Sequence, residues 1–162
     1  TMNYVFSAGM CAVKLSFIDG LPNETDEDVK GIADLAQRIV NLYYQNPDKP
    51  KGKSVSVNIS VSCFIPKPQT PFQWAGQNSL DEVERKQRLV RENITTRKVS
   101  YNWHDARSSR LEAVLARGDR RLSKAIVLAF EKGQVFDSWD EYFSLEKSLE
   151  NTFGVYENIL SK

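Results

Sequence analysis

The sequence predicts an α/β fold, with parallel strands alternating with helices and a helical tail behind them. Three observations predict it. A strand, a tight turn and an amphipathic helix follow one another between Val13 and Tyr43. A strictly alternating strand returns over residues 54–64. The last third carries helical spacing and capping signals instead of strand signals.

In the first strand, Val13, Leu15 and Phe17 alternate onto one face. Gly20-Leu21-Pro22-Asn23 is a turn signal that stops it. Thr25 then caps a helix, with Asp28 three residues on and Asp26 and Glu27 suited to its positive end. Val29, Ile32, Ala33, Ala36, Ile39, Val40 and Tyr43 form one apolar stripe, and Asn46-Pro47 ends the helix. Strand, turn and helix make the first half of a βαβ unit. In the return strand Val55, Val57, Ile59, Val61 and Cys63 share one face, and Ser54, Ser56, Asn58, Ser60, Ser62 and Phe64 share the other. Helix-covered parallel strands are usually apolar on both faces. The Ser/Asn face is therefore either a solvated surface or a lumen holding water or a ligand, and the pattern leaves both open.

Three prolines, Pro66, Pro68 and Pro71, stiffen the following loop. Ser79-Leu80-Asp81-Glu82 reads as a capping box opening a helix to about Ile94, with Leu80, Val83, Gln87, Val90 and Ile94 on one side. Val99, Tyr101 and Trp103 alternate as a short third strand. Ser109-Arg110-Leu111-Glu112 and Ser138-Trp139-Asp140-Glu141 read as two more capping boxes. Between them Asp119 precedes the stripe Leu122, Ala125, Ile126, Ala129 and Phe130, closed by Gly133.

Composition narrows the function classes. A chain of 162 residues with 41% hydrophobic residues, 27% charged and 10% aromatic suits one globular domain and excludes wholesale disorder. The net charge of +1 excludes a whole-surface affinity for nucleic acid, while a local basic patch stays open. No apolar run reaches the roughly 18–20 residues of a membrane span and no charged-then-apolar leader opens the chain, so a soluble, cytoplasmic protein is expected. Cys11 and Cys63, each in an apolar stretch, read as buried free thiols. With those two cysteines and one histidine the chain cannot close a four-ligand Cys/His zinc site, and no metal site is expected.

In parallel α/β folds ligands bind where the carboxyl ends of the strands and their loops gather. Two segments belong there. Asp19 to Thr25 offers Gly20, where backbone can approach a ligand, and the N–H donors of a helix start; it also reads as a plain turn into a helix. Pro66 to Trp74 presents Lys67, Thr70, Gln73 and Trp74 on a stiff loop suited to a planar or anionic group, or else is a packed connector. His104 is the single imidazole, either functional or structural. Arg85, Lys86, Arg88 and Arg91 read as a solvated helix face. Arg117, Arg120 and Arg121 span a helix junction, placed to grip phosphate or to pair with Asp119 or Glu112. There is no Walker loop, nucleophile elbow or His-Glu-x-x-His helix.

The run Val13-Lys14-Leu15-Ser16-Phe17-Ile18-Asp19-Gly20-Leu21-Pro22-Asn23-Glu24-Thr25-Asp26-Glu27-Asp28 is similar to the strand and Gly-Leu-Pro-x-Glu-Thr turn of radical S-adenosylmethionine (radical SAM) enzymes. Phe64-Ile65-Pro66-Lys67-Pro68-Gln69-Thr70-Pro71-Phe72-Gln73-Trp74 resembles a second family segment. So do Trp103-His104-Asp105 and the run Leu111 to Leu122. Order and spacing from Phe6 to Phe143 resemble Fe–S oxidoreductases in which a B12-binding-like domain often precedes the radical SAM domain. Such enzymes hold a 4Fe–4S cluster on a C-x-x-x-C-x-x-C loop, and this chain has none.

The resemblance thus implies the C-terminal piece of a longer enzyme: residues 1–95 from a partial (β/α) barrel and residues 96–162 a mainly helical extension. It implies a parent that reductively cleaves S-adenosylmethionine to a 5′-deoxyadenosyl radical, which abstracts hydrogen from a substrate. Cobalamin is a further possible cofactor of that parent. By the resemblance Ile18, Gly20 and Phe64 lie near S-adenosylmethionine, and Lys67, Gln73, Trp74 and His104 face the substrate. The Ser/Asn face would then point into the lumen. The isolated piece, lacking cluster ligands, is expected to hold no cofactor and to be inactive. Its expected partners are the remainder of its own chain, a second copy paired through the exposed edge of strand 13–18, and an RNA or ribosomal substrate; no membrane is expected. An alternative is an autonomous RNA- or protein-binding module using Arg117, Arg120, Arg121 and Trp74.

Overall fold

The structure of the chain is a computed structural model, which describes residues 2–131. The described residues divide into two compact units, the first made of residues 2–64 and 78–104, the second of residues 65–77 and 105–131.

The first unit runs α1 (Met2–Ser7), β1 (Ala12–Asp19), α2 (Asp26–Gln45), β2 (Ser56–Cys63), α3 (Leu80–Glu92) and β3 (Val99–Trp103). The strands form one parallel sheet in the order β1-β2-β3. The α/β expectation and the three strands therefore stand.

The helix α2 starts where Thr25 takes the N–H of Asp28 while the Asp28 carboxylate takes the N–H of Thr25, a complete capping box. Its predicted stripe, from Val29 to Tyr43, is buried. Against it lie Val55, Val57, Ile59 and Val61, with Val90 of α3 and Val99 of β3 in the same core. Each such side chain contributes about 1.5–3 kcal/mol when removed from water. Phe6 of α1 closes one end of this core, edge-on to Tyr43 at 5.1 Å. The buried Tyr43 hydroxyl donates to the Lys53 carbonyl at 3.0 Å, so burial of the ring leaves no orphaned polar group there.

The other face of the sheet differs. Lys14, Ser16, Ile18, Ser56, Ser100 and Asn102 are exposed, and Asn58, Ser60 and Ser62 are half-buried. No helix of this unit covers them, since the helical core packs on the opposite face. The outer edge of β1 pairs with no described strand.

Two local expectations need correction. Ser79 caps α3 through the N–H of Glu82, but the Glu82 carboxylate turns outward to Arg85 at 2.7 Å and the box stays half-formed. Lys86 does not belong to a solvated face: it is 4% exposed, between the buried Val83 and Val90 on the inner side of α3.

In the second unit α4 (Ala106–Arg117) is followed by a single 3-10 turn, Arg120–Leu122, and α5 (Ser123–Glu131). The α4 cap is Asp105, which accepts from the N–H groups of Arg107 and Ser108. Ser109 does not open a helix; it is buried within α4 and its hydroxyl donates to the Asp105 carbonyl at 2.9 Å. The stronger acceptor two residues downstream of Trp103 wins the capping position. Gly118 ends α4, and a Cβ there would lie 2.0 Å from Leu122 Cδ1, so any larger residue would force the buried Leu122 side chain to move. Leu122 and Ala125 are buried while Ile126 and Phe130 are exposed. The box at 138–141 and Gly133 lie outside the described residues.

Candidate ligand site at the carboxyl edge of the sheet

The carboxyl ends of β1 and β2 lie side by side, Asp19 opposite Cys63 and Ile18 opposite Ser62. Three predicted residues converge here. Ile18 is 54% exposed on the uncovered face. Gly20 follows β1 with φ +82°, a left-handed turn that a side chain would strain. Phe64 follows β2, and its N–H donates to the Asp19 carbonyl at 2.7 Å. A Cβ on Gly20 would stand 3.7 Å from that of Phe64 and 3.4 Å from Asn78 Nδ2. The close approach that the glycine permits is thus to the chain's own Asn78 and Phe64.

This edge is braced by residues that sequence reasoning missed. Glu24 reaches back to accept the Gly20 N–H at 2.9 Å and takes the Lys86 ammonium at 2.7 Å. Both partners of that ion pair are nearly sealed from solvent, at 8% and 5% exposure. Asp19 is 1% exposed. Neither of its oxygens meets a partner at ordinary hydrogen-bond geometry, although the Cys63 thiol beside it interacts with it more weakly. Burial first, then the charge of Glu24, pushes its pKa up to about 6; Cys63 and Lys86 pull the other way. Asn78 Nδ2 and the Tyr101 hydroxyl are likewise buried without a partner in the protein. The signal for Asp19 was available: residues 13, 15, 17 and 19 share a face, so the alternation carries a carboxylate into the core.

His104 lies just past β3 with its side chain exposed. Its backbone is what the fold uses: the N–H donates to the Val61 carbonyl at 3.0 Å and the carbonyl accepts from Gln87 Nε2 at 2.9 Å. Lys67, Gln73 and Trp74 belong to the second unit. Lys67 pairs with Glu112 at 3.2 Å, Gln73 Oε1 accepts the Gln69 N–H at 3.2 Å, and Trp74 is 85% exposed. Of the junction arginines, Arg117 donates to the Ala75 carbonyl at 3.2 Å and Arg121 is held by Asp119 at 2.7 Å. That pairing draws the Asp119 carboxyl below its usual range.

Among the described residues no group of three His, Cys, Asp or Glu side chains is placed to hold a metal, and no helix is long and apolar enough to cross a membrane.

The chain is 28% identical to the uncharacterized protein MJ0966 of Methanocaldococcus jannaschii, over 94% of this chain. It spans about a third (32%) of that relative's length. No family model matches the chain. No solved structure matches it either.

Proposed function

We propose that this chain is the C-terminal part of a radical SAM partial barrel, whose carboxyl edge at Ile18, Gly20 and Phe64 borders the S-adenosylmethionine site of a longer enzyme. The observation that carries this reading is the winding of the sheet. Three parallel strands stand in sequential order with both connecting helices in one core on one face. Doubly wound sheets reverse their strand order and place helices on both faces, whereas a barrel wall does neither. A closed eight-stranded wall fills its interior with bulky side chains. The Ser/Asn face here is small and polar, which suits a wider lumen that admits a ligand.

S-adenosylmethionine fits what the edge offers. Ile18 supplies an exposed apolar contact, the left-handed Gly20 keeps the turn free of a side chain, and buried Asn78 Nδ2 beside it is a donor without a partner in the protein. When bound, that cofactor supplies the hydrogen-abstracting radical, and the residues of this chain bind, orient and exclude water. The 4Fe–4S cluster does not fit this chain. Cys11 and Cys63 are its two thiols, one before the start of β1 and the other at the far end of β2. The assignment of Lys67, Gln73, Trp74 and His104 to the substrate rests on the resemblance alone.

The reading as an RNA- or protein-binding module has less support, because Arg117 and Arg121 are engaged locally and Trp74 and Arg120 are what remain.

The test starts with the reading frame upstream of Thr1. A C-x-x-x-C-x-x-C there, and anaerobic release of 5′-deoxyadenosine from S-adenosylmethionine by the longer product under reduction, is the expected result. A longer product that binds no iron and releases none overturns the reading. In the same reading a preceding strand pairs the outer edge of β1, so in the isolated chain that edge should either pair with a second copy or be covered by a terminal segment. Light scattering that finds a strict monomer, together with fast amide exchange along the outer edge of β1, would count against it.

A further inference from the structure

The helix α3 carries four cations, and the fold uses two of them. Arg85 is held by Asp26 at 2.6 Å and by Glu82 at 2.7 Å, and Lys86 by Glu24 at 2.7 Å. Arg88 and Arg91 make no side-chain hydrogen bond or ion pair among the described residues. They stand three residues apart on one face of the helix, and with Glu84, Gln87 and Trp103 they line a single groove of about 180 Å³. Trp103 is 43% exposed there and is backed by Tyr101, ring centroids 4.8 Å apart and 30° from parallel. A position in the last turn of α3 accounts for Arg91, since the helix C-terminus attracts a cation. It does not account for Arg88, nor for an indole left in water beside both.

Two guanidinium groups facing one groove repel each other, and the single carboxylate of Glu84 leaves the groove net positive. An anion removes that repulsion. An aromatic plate held by a second ring loses little freedom when a flat group stacks on it. The combination selects a ligand that is flat at one end and anionic at the other.

We propose that this groove binds a nucleoside phosphate unit, its base stacked on Trp103 and its phosphate oxygens on Arg88 and Arg91, with Glu84 accepting from an N–H of the base. A free nucleotide and a single-stranded RNA present the same chemistry. The site is independent of the S-adenosylmethionine reading: it lies on the helix-covered side of the sheet, whereas Ile18 lies on the uncovered face.

The experiment titrates the full chain with uridine 5′-monophosphate, a uridine hexanucleotide and inorganic phosphate, by calorimetry and tryptophan fluorescence at low and moderate salt. Uridine ligands keep the result separate from any adenosyl site. Saturable binding of at least one uridine ligand is expected, weakened about tenfold or more by Arg88→Gln with Arg91→Gln and by Trp103→Leu. Circular dichroism and thermal melting check that each variant folds. If Trp103→Leu fails to fold, Trp103→Phe with its smaller ring should give an intermediate loss. A hexanucleotide binding much more tightly than the monophosphate assigns the groove to RNA, and equal binding assigns it to a free nucleotide; either supports the proposal. Absence of uridine binding, binding that all these variants leave intact, or inorganic phosphate binding as tightly as the monophosphate overturns it.

Discussion

The two faces of the sheet use the same three strands and follow opposite rules. On one, Val57, Ile59 and Val61 are almost fully sealed beneath α2 and α3. On the other, Ser56, Asn58, Ser60 and Ser62 of the same strand stay exposed or half-buried, and Asn58 accepts a hydrogen bond of 2.7 Å from Asn102 across the sheet. A parallel sheet covered by helices on both sides has no use for such a face. The difference teaches that this unit draws its stability from one face and leaves the other uncovered by its own helices.

The sharpest break in the comparison should come from the buried ion pair on the helix side. Glu24→Gln keeps an acceptor for the Gly20 N–H but leaves the Lys86 ammonium buried without its counter-charge. It should cost about 3–5 kcal/mol in urea unfolding. Ile59→Ala, which opens a cavity at a side chain with 0% exposure, should cost about 2–5 kcal/mol in the same assay.

Asp19 is the polar exception on that face, and its effect runs the other way. Its folded pKa of about 6 lies above the ordinary aspartate value of 3.8, so between the two the folded chain holds a proton that the unfolded chain has released. The stability linked to it is complete below about pH 4 and is lost as pH rises through about 6. Asp19→Asn should therefore stabilise the unit by about 2–3 kcal/mol at pH 7.5 and change little at pH 3.5. Thermal melts at both values check this, and equal effects at the two would overturn the assignment. Ser60→Ala, on the open face, should move stability by no more than about 0.5 kcal/mol. A large loss there would mean that the face packs against something in solution.

Much of this was legible beforehand because the signals are local. Thr25 with Asp28 fixed the start of α2 within four residues, and the period of two in residues 54–64 fixed which side chains of β2 face the core. Gly20 was legible at the carboxyl edge because it directly follows a parallel strand, whereas Ile18 and Phe64 were singled out by the resemblance alone. The errors fell where two local signals competed or where a partner was remote. Ser109 read as the cap, but the carboxylate of Asp105, four residues earlier, takes that position. Lys86 looked like one of four surface cations, since nothing near it in sequence reveals Glu24, 62 positions away.

By itself the sequence determined element type and facing, since backbone periodicity, capping chemistry and turn residues act over a few positions. Tertiary structure alone decided the fate of the charges. Whether a lysine is sealed against a glutamate, a carboxylate is raised toward neutral pH, or an arginine is left facing an indole depends on which distant segment arrives beside it. Desolvation and Coulomb interactions are set by that three-dimensional neighbourhood, not by the order of residues along the chain.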